Sequence, residues 1–149
     1  MTAMDAVTQV PAPVNEPVRQ YAPGSAERTE LEETLKRMAS EPRELTSTIG
    51  GEKRFGGGEE IDVVQPHNRH HVLGTMRGAT HEDARAAVDA ATAAAPGWRE
   101  LSFDDRAAIL LKAADLLAGP WRQRLNAATM LGQSKTAVSY THLTLPTKA

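Results

Sequence analysis

Three histidines, His67, His70 and His71, lie close together in the sequence, and imidazole nitrogens are common metal ligands. A metal site needs two or three of these groups to converge on one point. Neighbouring residues of a strand point to opposite faces, so His70 and His71 do not share a metal ion if they lie in a strand. No acidic residue close in sequence completes a site. We therefore interpret the cluster as part of a solvated turn.

Glycine-rich stretches are candidates for phosphate binding, because exposed backbone amides in front of a helix bind anions. The run Gly56 to Gly58 precedes a predicted strand, and neither glycine-rich nucleotide-binding motif occurs. In the stretch GQSKT at 132–136, Ser134 replaces the glycine before the lysine, and Thr129 stands where the first glycine should be. Both stretches are interpreted as turns or helix ends.

Nucleophilic catalysis is not supported by any pattern in the chain. Cysteine is absent, which excludes a thiolate nucleophile, a disulfide and a thiolate metal site. Serines and histidines occur without a G-x-S-x-G motif. Trp98 and Trp121 flank a predicted helix, and we interpret them as packing anchors. We assign no catalytic, cofactor-binding or metal-binding residue to this chain.

The composition limits the class of protein. The chain has 149 residues, of which 40% are hydrophobic and 24% charged, as is ordinary for one soluble globular domain. Only 4% are aromatic, so the core is expected to be thin. A formal charge of -2, with charges that alternate in sign, argues against nucleic acid and anionic membranes as partners. No stretch resembles a membrane span, a signal peptide or a transit peptide, and we expect a cytoplasmic protein.

The elements that would have to position any site begin with an arm and a helix. Residues 1–23 contain several prolines and few large apolar groups, which predicts an extended or disordered arm. A first helix is predicted from Ser25 to just before Pro42, with Leu31 and Leu35 on its apolar face.

A small antiparallel β region is predicted between residues 44 and 76. Strand-favouring residues at 45–49 are followed by Gly50 and Gly51, a pair that suits a tight hairpin turn. Two further strands, EIDVVQP and HHVLGTM, are expected to be joined by a turn at residues 66–69.

Three more helices are predicted in the second half of the chain. Thr80 caps the first of them, which is expected to end near Pro96. Ser102 caps the second, and Gly119 is expected to end it in a left-handed conformation. The third is expected to run from Pro120 to Gly132. The apolar face of the middle one is expected to point toward a core through Ala107, Leu110, Leu111, Ala114 and Leu117.

Three stretches together resemble the glutamate-semialdehyde (1-pyrroline-5-carboxylate) type of aldehyde dehydrogenase. They are VNEPVRQYAPGSAERTELEETL at 14–35, DRAAILLKAADLLAGPWR at 105–122 and ATMLGQSKTA at 128–137. The segment VVQPHNRHHVLGTM resembles the Asn-Pro segment common to aldehyde dehydrogenases, with Gln65 and Pro66 in place of Asn-Pro. The resemblance covers about residues 14–138.

The resemblance implies a reaction that this stretch does not itself carry. In that family an NAD-dependent homo-oligomer oxidises a small-molecule aldehyde, L-glutamate 5-semialdehyde, to L-glutamate in proline degradation. Hydride leaves a thiohemiacetal on a cysteine, and a glutamate then assists thioester hydrolysis. The catalytic residues and the NAD-binding elements lie after position 138 in family members, so none is carried over, and the chain alone is expected to be inactive.

The fold class that follows is an α+β fragment. It comprises the N-terminal helices and the small antiparallel β region of an aldehyde dehydrogenase fold, which is α/β overall, truncated before the Rossmann-type core. We divide the chain into an extended arm at 1–23, the N-terminal segment of that fold at 24–138 and a tail at 139–149. The tail looks like translated sequencing-adapter read-through and is expected to be non-native.

Two alternatives stay open. The first is a stand-alone helical interaction module that docks on a partner through its alanine-rich faces. The second is an aldehyde dehydrogenase that acts on another aldehyde, because the residues of the aldehyde pocket are not in this stretch.

Overall fold

The computed structural model describes residues 9–12 and 14–137, so the predicted tail at 139–149 lies outside the described residues. Four helices and five strands follow one another in an α+β arrangement. They are α1 (Ala26–Ser40), β1 (Arg43–Leu45), β2 (Ser47–Ile49), β3 (Glu52–Arg54), β4 (Glu60–Gln65), β5 (Asn68–Arg77), α2 (His81–Glu100), α3 (Phe103–Ala118) and α4 (Arg122–Gln133).

The strands form two small sheets. Strands β4 and β5 pair antiparallel across the predicted turn, and β2 and β3 form the predicted hairpin, with Gly50 and Gly51 both at positive φ. The expectation of a wholly antiparallel region is wrong at β1, which pairs parallel with β5 and opposes Arg43 to Gly74. The order in the larger sheet is β1-β5-β4. The predicted single strand at 45–49 is divided at Thr46 between the two sheets.

Gly74 is required for this parallel pairing. A Cβ atom added at Gly74 would lie 2.0 Å from the carbonyl oxygen of Arg43, which is far inside van der Waals contact. The absence of a side chain lets β1 approach β5 closely enough to form its hydrogen bonds.

The predicted caps at Thr80 and Ser102 are confirmed, and Ser25 caps the first helix in the same way. The side chains of Ser25, Thr80 and Ser102 accept hydrogen bonds from the backbone N–H groups three residues further on. At Thr80 the device is a full capping box, in which the Asp83 side chain also accepts from the Thr80 backbone.

Several helix ends differ from the prediction. α2 continues through Pro96 to Glu100. Proline lacks the N–H that would bond the carbonyl oxygen four residues earlier, but that carbonyl lies in an exposed part of the helix, so its lost hydrogen bond does not end the helix. Gly119 has a φ of -102°, so it ends α3 without adopting the left-handed conformation. α4 begins at Arg122 and continues past Gly132, and Ser134 is the left-handed residue that ends it.

The core is small and lies between α1 and α4. Leu31, Ala127 and Ala137 are buried there, and Tyr21, Leu35, Met38 and Met130 pack against them. The expectation that α3 points its apolar face toward a core is wrong within this chain. No residue of α2 or α3 is buried.

The predicted packing role of the two tryptophans is also wrong within this chain. Trp98 and Trp121 are 42% and 46% exposed. Arg124 lies over the ring of Trp121, with its guanidinium carbon 5.0 Å from the ring centroid. In residues 9–12 and 14–137, no helix is long and apolar enough to cross a membrane.

Candidate functional site

The three histidines are separated by the fold. His67 lies in the turn between β4 and β5, and its Nδ1 atom is 2.8 Å from Ser134 Oγ. His71 lies in β5, where its Nε2 atom donates to the carbonyl oxygen of Ala39 at 2.7 Å. His70, also in β5, is exposed. The part of the chain that the structure describes holds no group of three or more histidine and acidic residues able to bind a metal ion.

Two backbone amides of the glycine-rich loop at 56–58 form hydrogen bonds within the protein. Gly57 donates to Asp83 Oδ2 at 2.9 Å, and Gly58 donates to the carbonyl oxygen of Gly78 at 2.9 Å. Cβ atoms added at Gly56 and Gly58 would lie 2.3 Å and 2.7 Å from that same Gly78 oxygen. The loop is therefore closely packed on the segment before α2, and these two amides are not available to a phosphate.

Asp83 is the side chain that fastens this loop. Its Oδ2 atom accepts hydrogen bonds from the backbone N–H of Gly57 and from both the N–H and the hydroxyl of Thr80, at 2.8 to 2.9 Å. The Gly57 bond and then the two Thr80 bonds hold the pKa of Asp83 below its ordinary value of 3.8. All three stabilise the charged form of the carboxylate.

A second cluster of polar contacts holds the N-terminal arm on α4. The Arg122 side chain is 8% exposed, and its Nη1 atom donates to the carbonyl oxygen of Pro17 at 2.9 Å. Glu16 Oε2 lies 3.8 Å from the same atom, beyond the usual length of a charge-assisted hydrogen bond. The main attachment of the arm at this point is therefore to the backbone of Pro17.

Tyr21 supplies the other attachment of the arm. Its hydroxyl accepts from Asn126 Nδ2 at 2.7 Å and donates to Gln123 Oε1 at 3.3 Å. Tyr21 has a φ of 53°, a conformation that costs a residue with a side chain about 1–3 kcal/mol. The two hydrogen bonds to α4 offset that cost.

The described part of the arm, residues 9–12 and 14–23, is attached to α4 at these two points. The Gln9 backbone N–H also donates to Asp104 Oδ2 in the first turn of α3, at 3.3 Å. A cavity of about 140 Å³ lies between the arm, α3 and α4, lined in part by Glu16, Tyr21, Leu117 and Arg122. The positive charge of Arg122 in this cavity already has the carboxylate of Glu16 near it, at 3.8 Å.

A larger open groove lies on the other side of α4. It has a volume of about 490 Å³ and runs between the C-terminal parts of α1 and α4 and the turn that holds His67. Sequence reasoning missed both the arm attachment and this groove, because each joins residues that are far apart in the chain.

Apolar side chains of α2 and α3 remain exposed to solvent: Val88 is 62% exposed, Ile109 52% and Leu110 65%. Of these, Leu110 belongs to the face of α3 that was expected to point toward a core. Large exposed apolar patches on a protein mark a surface that is covered in its functional state.

In a comparison with known protein families, the model of the aldehyde dehydrogenase family matches residues 54–144 of this chain. Among curated relatives, a delta-1-pyrroline-5-carboxylate dehydrogenase of Agaricus bisporus is 41% identical over 136 residues. A mitochondrial delta-1-pyrroline-5-carboxylate dehydrogenase of Danio rerio is 36% identical over 124 residues. These alignments cover 90% and 83% of this chain but 24% and 22% of the relatives.

The solved structures that resemble this chain are of the same kind of enzyme as these relatives. The crystal structure of the delta-pyrroline-5-carboxylate dehydrogenase from Mycobacterium tuberculosis is 59% identical, with a TM-score of 0.84 over 90% of this chain. The same enzyme bound with NAD and cobalamin superposes with a TM-score of 0.85. The match covers 25% of that enzyme, so this chain spans about a quarter of the length of the proteins it matches.

Proposed function

The chain belongs to the aldehyde dehydrogenase family, and we propose that the full-length protein oxidises L-glutamate 5-semialdehyde, the open form of 1-pyrroline-5-carboxylate, to L-glutamate with NAD⁺. The observation that carries the proposal is the 59% identity to the Mycobacterium tuberculosis enzyme over 90% of this chain. That relative has been solved with NAD, which supports NAD as the cofactor.

The residues that the structure describes do not themselves fit NAD. A dinucleotide site of the Rossmann type needs a parallel βαβ unit with a glycine-rich turn before its helix. The only parallel pair in the described part, β1 with β5, is joined through three other strands and not through a helix. The glycine-rich loop at 56–58 is packed against Gly78 and Asp83. The proposed chemistry therefore belongs to the rest of the full-length protein.

This chain alone is expected to be inactive. Its sequence contains no cysteine, so it cannot form the thiohemiacetal from which hydride departs in this family. Its contribution to the full-length protein is structural: α1, α4 and the two small sheets provide a folded platform, and α2 and α3 provide an apolar face.

The test is NADH formation from glutamate semialdehyde, measured with the 149-residue chain and with the full-length gene product. We expect substrate-dependent NADH from the full-length protein and none from the chain. Propanal, supplied in parallel, tests the alternative of another aldehyde substrate. A full-length protein that oxidises propanal but not glutamate semialdehyde would overturn the substrate assignment, and NADH from the chain alone would overturn the inactivity.

We further infer that the full-length protein is a cytoplasmic homo-oligomer that needs neither nucleic acid nor a membrane. The charge distribution supports the last two points. Some curated relatives are mitochondrial, so location has to be tested directly. Fractionation of the source cells and light scattering of the purified full-length protein test location and assembly, and a membrane-bound or monomeric protein would contradict the inference.

A further inference from the structure

Residues 14–20 of the arm, here called the strap, are held on α4 by a polar contact. Arg122 Nη1 donates to the carbonyl oxygen of Pro17 at 2.9 Å. The two valines of the strap remain in solvent, since Val14 is 91% exposed and Val18 is 85% exposed. Docking of the strap therefore gains little from the hydrophobic effect, which scales with the apolar area removed from water.

The residues of α4 that bind the arm are polar as well. They are Arg122, Gln123 and Asn126. The apolar residue Ala127, in contrast, belongs to the core between α1 and α4. Polar side chains that lose a contact with the arm form hydrogen bonds to water instead, so uncovering them costs little. The strap can therefore leave α4 without exposing the core.

The strap ends at a junction with the properties of a hinge. The Tyr21 ring packs against the core and its hydroxyl binds α4, so the side chain is fixed. Its backbone has a φ of 53°, and Gly24 follows with a φ of 79°. A residue with a side chain rarely adopts such a φ. Rotation of Tyr21 to a negative φ relieves this strain and turns the preceding residues away from α4.

From these features we propose that the strap opens and closes about Tyr21 while α1 and α4 stay packed. The closed strap covers Arg122, whose side chain is only 8% exposed. Opening uncovers this guanidinium and the cavity beside it. Pro17 limits the conformations of the open strap, which lowers the entropy lost when it closes again. The inference concerns the arm and does not depend on the proposed dehydrogenase activity.

The experiment follows the strap and the two helices with separate probes while the 149-residue chain is heated. The chain contains no cysteine, so Val18→Cys provides one exposed site for a dansyl label. In a Trp98→Phe background, energy transfer to the label from Trp121, next to Arg122 in the sequence, reports a closed strap. Hydrogen exchange measured by mass spectrometry reports on α1 and α4. We expect energy transfer to fall at temperatures at which the amides of both helices are still protected.

Arg122→Gln removes the charge-assisted hydrogen bond to Pro17. We expect it to raise the ratio of open to closed strap at least about tenfold, with the amides of α1 and α4 still protected. Arg85→Gln is the matched control, because it makes the same substitution at an exposed position of α2.

Three outcomes would overturn the proposal. They are a loss of energy transfer that coincides with loss of protection in α1 and α4, unchanged energy transfer in Arg122→Gln, and an equal loss in Arg85→Gln. If Arg122→Gln fails to fold, the comparison of the two probes in the labelled chain that retains Arg122 decides.

Discussion

The carboxylate of Asp83 joins the first turn of α2 to the Gly57 loop, 26 residues earlier in the chain. A single oxygen atom accepts from two backbone N–H groups and one hydroxyl. Replacement by asparagine keeps the size of the side chain but removes the charge that these three donors stabilise.

We predict that Asp83→Asn increases amide exchange at Gly57 and Thr80 at neutral pH, measured by hydrogen exchange with NMR detection. The pKa of Asp83 is lowered in the folded chain, so its stabilising contribution is present above the ordinary value of 3.8 and is lost as the pH falls through the lowered value. The difference between variant and unchanged chain should therefore disappear in strong acid.

Asp89→Asn serves as the control, because Asp89 is an exposed carboxylate of the same helix without these hydrogen bonds. An equal effect of Asp89→Asn, or an effect of Asp83→Asn that persists unchanged in strong acid, would show that the loop is not fastened by the charged carboxylate.

Arg122 holds the arm in the same way that Asp83 holds the loop. We predict that Arg122→Gln speeds tryptic cleavage after Arg19, because the arm loses a charge-assisted hydrogen bond worth about 1.5–3 kcal/mol. Glu16→Gln should have a smaller effect, below about 1 kcal/mol, since Glu16 is 47% exposed and 3.8 Å from Arg122.

The matched control is Arg124→Gln, which removes the arginine that lies over Trp121 instead of the one beside the arm. Cleavage as slow in Arg122→Gln as in Arg124→Gln would mean that the arm is held by other contacts.

At the scale of elements, β1 depends on Gly74 for its place beside β5. We predict that Gly74→Ala separates β1 from β5, seen as loss of amide protection in residues 43–45 with the β4–β5 hairpin retained. Gly97→Ala is the control: it lies in α2 with nothing within 4 Å of an added Cβ, and it should stabilise that helix by about 0.5–1 kcal/mol. Retained protection of β1 in Gly74→Ala would refute the close-packing explanation.

Elements set by local signals were predicted from the sequence. Thr80 and Ser102 each supply a cap within four residues of the groups they satisfy, and Gly50–Gly51 sets a hairpin locally. The parallel partner of β1 could not be predicted, because it is chosen by packing between residues far apart. The two attachments of the arm to α4 and the groove between α1 and α4 were not predicted for the same reason. The absence of a cysteine, by contrast, is read directly from the sequence.

At the scale of the whole molecule, the chain exposes more surface than a compact protein of its mass. Its accessible surface is 11944 Å², against roughly 7,400 Å² expected for a compact monomer of this size. Apolar side chains of α2 and α3, among them Val88, Ile109 and Leu110, are part of this exposed surface. An exposed apolar patch of this kind is typical of a surface that contacts another protein surface.

We therefore predict that the isolated chain self-associates at micromolar concentration through the exposed face of α2 and α3. Val88→Gln combined with Leu110→Gln should shift it toward monomer, as measured by size-exclusion chromatography with light scattering. The control is Val14→Gln with Val18→Gln, which removes exposed valines from the arm instead. A monodisperse monomer with a sharp cooperative unfolding transition would support the stand-alone module.

The parallel pairing of β1 with β5 also sets an order of events during synthesis. Ribosomes extend a chain at about 5–20 residues per second, so Arg43 leaves the ribosome roughly two to six seconds before its partner Gly74. Hairpins form within about 10 microseconds, and β2 with β3 can close long before β5 exists. For those seconds β1 is a strand without a neighbour, next to a hairpin that is already complete. Slowing translation between codons 46 and 74 should lengthen that interval and increase capture of the nascent chain by chaperones.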